Sequence, residues 1–241
     1  MSQLHVFASK SEAAAGAAKF VLEQLNAALE NSKQASLAVS GGSTPKLMFE
    51  AMASSEFDWP KLQLYFVDER PVAPGHPDSN FGMTDAALCE PVGLEDKQVH
   101  RIQGELEPTV AAERYVDDLI ESLRLKKGQA PRFDVLHLGM GDDAHTASLF
   151  PGEPLILDRL GLVASVYATS KKSYRVSLLP KVLLNAASTV FLVTGADKAT
   201  SLKAVLDGPE DFMAYPAQLV ERLGQNVHWF VDEAATAELD R

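Results

Sequence analysis

Four short apolar runs in this chain each break into a polar or glycine-rich segment. Residues 37–39 run into 40–44, 62–67 into 68–70, 133–138 into 139–145, and 189–193 into 194–198. Helical stretches lie between them. An alanine-rich segment from residue 13 to 18 leads to Phe20, Leu22, Leu25 and Leu29 at spacings of three to four, with Ser11 as the expected cap. Pro45 suits the first turn of a helix carrying Leu47, Met48, Phe49 and Met52, with Thr44 as its cap. Further helices are expected over 80–88, capped by Asn80, over 108–127, ending at Gly128, and over 197–206. Residues 4–8, 162–168 and 227–231 complete the strand candidates, and a last helical run is read at 232–239.

Short strands alternating with helices predict βαβ units. The expected fold is α/β: a doubly wound, mostly parallel sheet with helices on both faces, in one domain over residues 1–241. In such sheets ligands bind beyond the carboxyl ends of the strands, so the four polar segments should converge on one crevice.

Composition narrows the function classes. With 46% hydrophobic and 23% charged residues, the 241-residue chain is neither disordered nor membrane-spanning by composition. Its net charge of −11 disfavours nucleic acid, because binding a phosphate backbone needs the opposite balance. A small anion is still admissible where a cleft carries its own cations. The single cysteine, Cys89, excludes an internal disulfide and a zinc-type cysteine cluster. The opening MSQLHVFASKSE has no basic segment and no long apolar segment, so a cytoplasmic protein is the expectation. Nothing in the sequence specifies an oligomeric state.

At the first strand end, Gly41 and Gly42 allow a tight turn into a helix whose free N–H groups can hold a phosphate, with Ser43 and Thr44 hydroxyls as added donors. A plain turn with an N-cap explains the segment equally well. The stretch Gly139-Met140-Gly141-Asp142-Asp143-Ala144 matches G-x-G-x-x-A, but two carboxylates would occupy the place of a pyrophosphate, so a dinucleotide site is rejected. Its chemistry lies instead in Asp142, Asp143 and His145 just beyond a strand. A neutral imidazole there can take a proton from water, with a carboxylate fixing its tautomer. The competing reading makes His145 the cap of a short helix over 146–150. His5, His76, His100, His137 and His228 read as structural or incidental. Arg70, Arg175 and Lys198 are the cations near the strand ends, each either a phosphate ligand or a solvated charge, and Asp68 and Glu69 are either site carboxylates or helix caps. No G-x-S-x-G elbow, H-E-x-x-H motif or spaced Cys/His set is present, and Cys89 reads as packing.

These motifs resemble the 6-phosphogluconolactonase family of the glucosamine/galactosamine-6-phosphate isomerase superfamily. The matching stretches are Ser40-Gly41-Gly42-Ser43-Thr44-Pro45, Asp68-Glu69-Arg70 with Ser79-Asn80, and the run Gly139-Met140-Gly141-Asp142-Asp143-Ala144-His145-Thr146-Ala147-Ser148-Leu149-Phe150-Pro151-Gly152. Arg175-Val176-Ser177-Leu178, Thr194-Gly195-Ala196-Asp197-Lys198-Ala199 and Trp229-Phe230-Val231-Asp232-Glu233-Ala234-Ala235 follow in the same order. The resemblance implies a sugar-phosphate isomerase-like fold and hydrolysis of a sugar-phosphate lactone with no metal and no cofactor. It implies that His145 activates the water beside Asp143, and that Arg70 and Asp68 line the substrate site. Gly41, Gly42, Ser43, Thr44, Arg175 and Lys198 would surround the phosphate and sugar.

The chain departs from the family pattern at Ala144, where a glycine usually precedes the histidine, and in the loop between Arg70 and Ser79. A left-handed backbone at Ala144 would strain the turn that aims His145. The related amino-sugar-phosphate deaminases place a glutamate shortly after the histidine, whereas Ser148, Leu149 and Phe150 follow here. A module that binds a sugar phosphate without turnover is the other alternative.

Overall fold

A computed structural model describes residues 2–239. Among the described residues ten strands form two sheets. The larger sheet holds seven, in the order β1 (Gln3–Phe7), β10 (Val227–Asp232), β9 (Ser188–Val193), β6 (Val135–Leu138), β2 (Ala35–Val39), β3 (Leu62–Phe66) and β5 (Val99–His100). All its pairings are parallel. Strands β2, β6, β9 and β10 are buried at every position, as near-continuous apolar runs require in a sheet covered by helices. Phe191 and Trp229 stack across β9 and β10 with ring centroids 4.0 Å apart. The fully buried Tyr65, Phe49, Phe66 and Phe133 extend the same core.

The strand order explains the position of the cleft. From β2 the chain winds outward through β3 to β5, and from β6 it winds the other way through β9 to β10, which lies beside the N-terminal edge strand β1. The order therefore reverses between β2 and β6, and that switch point is where open α/β sheets leave a crevice. The four polar segments follow β3, β2, β6 and β9, which are consecutive neighbours in the sheet, as expected.

Several local expectations are corrected. Residues 162–168 do not join the parallel sheet. Strands β7 (Val163–Ala168), β8 (Ser173–Leu178) and β4 (Asp68–Glu69) form a separate antiparallel sheet in the order β4-β8-β7. Helix α1 (Lys10–Leu29) is capped by Ser9 rather than Ser11: the Ser9 hydroxyl accepts from the Glu12 amide. Helix α2 (Ser43–Ala53) has Gly42 at its N-cap, and the Thr44 hydroxyl pairs instead with that of Thr194 at 3.1 Å. Ser79, not Asn80, caps α3 (Asn80–Thr84), and the chain continues as a π-helical turn over Asp85–Cys89. The helix expected over 108–127 is Pro108–Ser122, because Leu123 leaves helical geometry and Arg124 takes φ 52°. Residues 146–149 form a tight turn closed by a bridge between Thr146 and Leu149, and 233–238 are turns, where the sequence predicts helices over 146–150 and 232–239. Among the described residues no helix is long and apolar enough to cross a membrane.

Candidate active site

Beyond the carboxyl ends of β2, β3, β6 and β9 lies a cleft of about 270 Å³. Gly41, Gly42, Ser43 and Thr44 form one wall, Asp68 and Arg70 a second, Gly139 to Gly141 with His145 a third, and Thr194 with Lys198 a fourth. Eight of the ten sequence-predicted residues therefore line one cavity. Asp143 stands behind the imidazole of His145, and Arg175 lies outside the lining.

Backbone geometry dictates how His145 is held. The Gly141 amide donates to the His145 carbonyl at 2.9 Å, and the Thr146 hydroxyl donates to the Gly139 carbonyl at 2.9 Å, closing a tight loop. Asp143 Oδ1 accepts from the His145 amide at 3.0 Å and from its ring Nδ1 at 2.5 Å. Burial opposes ionisation of Asp143, but the hydrogen bonds from His145, with the His145 and Lys171 charges, outweigh it and hold the carboxyl at about 2. An ionised carboxylate only accepts hydrogen bonds, so Nδ1 carries the proton and Nε2 is the free acceptor of the neutral ring. Phe150 covers the ring, with centroids 4.5 Å apart.

Ala144 is fully buried at φ 62°, and Ala147 lies at φ 51°. The departure seen in the sequence thus falls on a left-handed position, which costs an alanine about 1–2 kcal/mol. The loop tolerates this because Asp143, Thr146 and the Gly141 amide fix it on both sides of the strained residue. Ala144→Gly is expected to change stability by less than about 1 kcal/mol, since strain relief and glycine's backbone entropy offset each other. Ala144→Val is expected to cost about 3 kcal/mol or more, from overpacking added to strain. Chemical denaturation of the two variants measures the difference.

The second carboxylate is held from two sides. Ser148 Oγ donates to Asp68 Oδ2 at 2.7 Å, while Asn80 Nδ2 donates to the Asp68 carbonyl at 2.8 Å and to Oδ1 at 3.3 Å. Glu69 is a helix cap: buried, it accepts from the Asn80 and Phe81 amides, each at 2.8 Å, at the start of α3. Arg70 Nη1 donates to the Asp78 carbonyl at 2.7 Å. Arg175 donates to the Tyr174 carbonyl, and burial together with the nearby Arg70 charge pulls its guanidinium below the usual value. It sits close enough to feel Asp68 and Arg70 without reaching the lining.

One wall of the cleft is built by the start of α2. Gly42 takes φ 125°, a conformation open to glycine, and starts the helix with no side-chain cap, so the uncapped N–H groups of the first turn belong to residues that line the cleft. Lys198 Nζ lies 3.1 Å from Asp197 Oδ2.

Of the other histidines, His137 supports the cleft from the core, its Nδ1 accepting from the Ser40 amide at 3.4 Å. His137 is fully buried, and burial pushes it down to about 3. His5 pairs with His228, and His100 sits between Asp118 and Gln63. Cys89 is buried, which pushes its thiol up to about 12 and suits packing, not nucleophilic attack. Asn80, Ser148 and Lys171 are the contributors sequence reasoning did not assign. Ser148 and Asn80 stand inside recognisable motifs, but Lys171, at the tip of the β7–β8 hairpin, carries no sequence signal.

Comparison with known proteins agrees with this architecture. The family described as glucosamine-6-phosphate isomerases/6-phosphogluconolactonase matches residues 8–229. A 6-phosphogluconolactonase of Nostoc sp. is 35% identical over 220 residues, covering 91% of this chain and 90% of its own. The 6-phosphogluconolactonase of Rattus norvegicus is 34% identical over 239 residues, covering 96% of this chain and 91% of its own. The solved structure of 6-phosphogluconolactonase from Trypanosoma brucei superposes with a TM-score of 0.86 at 25% identity, covering 99% of both chains. With most of its length matched in sequence and nearly all of it in structure, the chain belongs to the glucosamine-6-phosphate isomerase/6-phosphogluconolactonase family.

Proposed function

We propose that the chain hydrolyses 6-phospho-D-glucono-1,5-lactone to 6-phospho-D-gluconate, the hydrolytic step of the oxidative pentose phosphate pathway. The observation that carries this reading is His145, backed by Asp143, standing in one cleft with Arg70, Lys198 and the N-terminus of α2. The relatives named 6-phosphogluconolactonase support the same substrate.

In this reading the phosphate rests against residues 42–44 and Lys198, where helix N–H groups and an ammonium favour an anion. Binding at that end orients the lactone carbonyl toward His145. Nε2 of His145 takes a proton from water as its oxygen attacks the carbonyl carbon. Negative charge then grows on the carbonyl oxygen, and Arg70 is the cation in reach of that wall. Collapse of the tetrahedral intermediate breaks the bond to the ring oxygen, which leaves with the proton held on His145. Asp143 stabilises the imidazolium during both transfers. Asp68, fixed by Ser148 and Asn80, presents its carboxylate to the sugar hydroxyls.

Proton release from freshly prepared lactone tests the reading, because the product acid ionises at neutral pH. With chelator present, the protein is expected to accelerate release well above spontaneous ring opening. A rate equal to the protein-free control sinks the proposal.

A further inference from the structure

Lys10, the first residue of α1, is remote in sequence from every motif of the cleft. Its Nζ nevertheless donates to Ser43 Oγ at 3.3 Å, and Ser43 lines the cleft at the start of α2. The ammonium therefore lies one hydrogen bond from the edge of the anion end. Lys198, the cation sequence reasoning assigned to that end, already has a counter-charge in Asp197 at 3.1 Å. Asp197 also feels the Lys10 charge, so one carboxylate lies in the field of two ammonium groups. Without Lys10 the Lys198–Asp197 pair brings no net charge to a phosphate monoester that carries about −1.5 to −2 near neutral pH.

The placement is also wrong for α1 itself. A cation in the first turn opposes the helix macrodipole, and Ser9 already caps that end. Local helix stability thus gives no reason for a lysine here, whereas the neighbouring wall of the cleft does.

Resting on the lactone reading above, we propose that Lys10 is a specificity-determining residue: its ammonium, beside Ser43, binds the substrate phosphate and separates phosphorylated from unphosphorylated lactones. Lys10 supplies the uncompensated positive charge of the anion end, and Lys198 supplies a second, partly neutralised donor.

Steady-state kinetics of wild type, Lys10→Met and Lys10→Arg on 6-phosphogluconolactone and on unphosphorylated glucono-δ-lactone test this. Calorimetric titration with inorganic phosphate and thermal unfolding of each protein accompany them. Lys10→Met is expected to raise KM for the phosphorylated lactone about tenfold, the size of one charge-assisted hydrogen bond, with kcat within about twofold. Its kcat/KM for the unphosphorylated lactone should not change, phosphate affinity should fall by a similar factor, and Lys10→Arg should lie between. The Tm of Lys10→Met should be unchanged or higher, because the charge opposing the helix dipole is gone. Equal loss on both lactones, or no loss on either together with unchanged phosphate affinity, overturns the proposal. If wild type hydrolyses neither lactone the enzymatic reading fails, and the phosphate titration still decides whether Lys10 binds the anion.

Discussion

Replacing His145 with alanine is expected to lower kcat by about 10²–10⁴-fold, the contribution of one positioned proton-transfer group. The fold should survive. The ring is partly exposed, its side-chain hydrogen bond runs to Asp143, and the loop's backbone bonds through Gly141 and Thr146 do not involve the imidazole. A near-normal kcat in a folded His145→Ala protein would remove the residue from the base role. The pH profile supplies an independent check. A base acts in its neutral form, so activity should fall on acidification. Asp143 is not the source of that fall, since its carboxyl stays ionised down to about 2. In Asp143→Asn the negative charge that stabilises the imidazolium is lost, so kcat falls. A kcat that stays at the wild-type level would show that the carboxylate does not act through the ring. Asp143 also links to stability with a definite sign. Its folded value lies below the ~3.9 of an unfolded aspartate, so its contribution is complete above about pH 4 and is lost as pH falls toward 2.

The positions of these groups were legible because strand ends are marked locally. An apolar run that stops at Gly139 or Ser40 announces both the strand and the polar segment beyond it, and parallel pairing does the rest. The antiparallel sheet was not legible for the opposite reason. Strand β4 is two residues, Asp68 and Glu69, and exists only because it pairs with Ser177 and Val176 more than a hundred positions away. No periodicity can be read from a pair of residues. That sheet matters for the site, since it fixes Asp68 where Ser148 and Asn80 can hold its carboxylate.

Cap assignments failed where several hydroxyls competed. Ser9 and Ser11 flank the start of α1, and the apolar spacing farther along does not say which turn comes first. Thr44 looked like a cap because a hydroxyl preceded Pro45, yet Gly42 starts α2 and frees Thr44 to bridge to Thr194. Lys10 and Lys171 were invisible for a different reason. Long side chains reach across the fold, so a cation's target depends on tertiary geometry and not on its sequence neighbours. Ala144 is the instructive middle case: the sequence marked the position, and the backbone conformation there, φ 62°, decided what the substitution means.

Gly141→Ala is expected to remove most of the activity by a purely steric route. A methyl group on Gly141 would lie 2.1 Å from His145 Nδ1 and 2.5 Å from Asp143 Oδ1, inside the hydrogen bond that fixes the imidazole. Neither atom belongs to the far end of a flexible chain, because the ring and the carboxylate are short and mutually bonded. The clash is relieved only by turning His145 away from Asp143, which loses both the tautomer and the aim of Nε2. A fall in kcat of about 10²-fold or more follows, since even small misplacement of reacting groups is costly. Overpacking should also take about 1–3 kcal/mol from stability, leaving a folded protein. Gly139 provides the internal control. It sits two residues earlier in the same turn, lines the same cleft, and a methyl group there meets nothing within 4 Å. Gly139→Ala should therefore keep activity within a few-fold of wild type, about 1 kcal/mol or less in barrier terms. Parallel measurement of kcat and unfolding midpoint for the two alanine variants separates the effects. Equal activity in both would mean that His145 need not lie against Asp143 for turnover, and the proton-transfer assignment would fall with it.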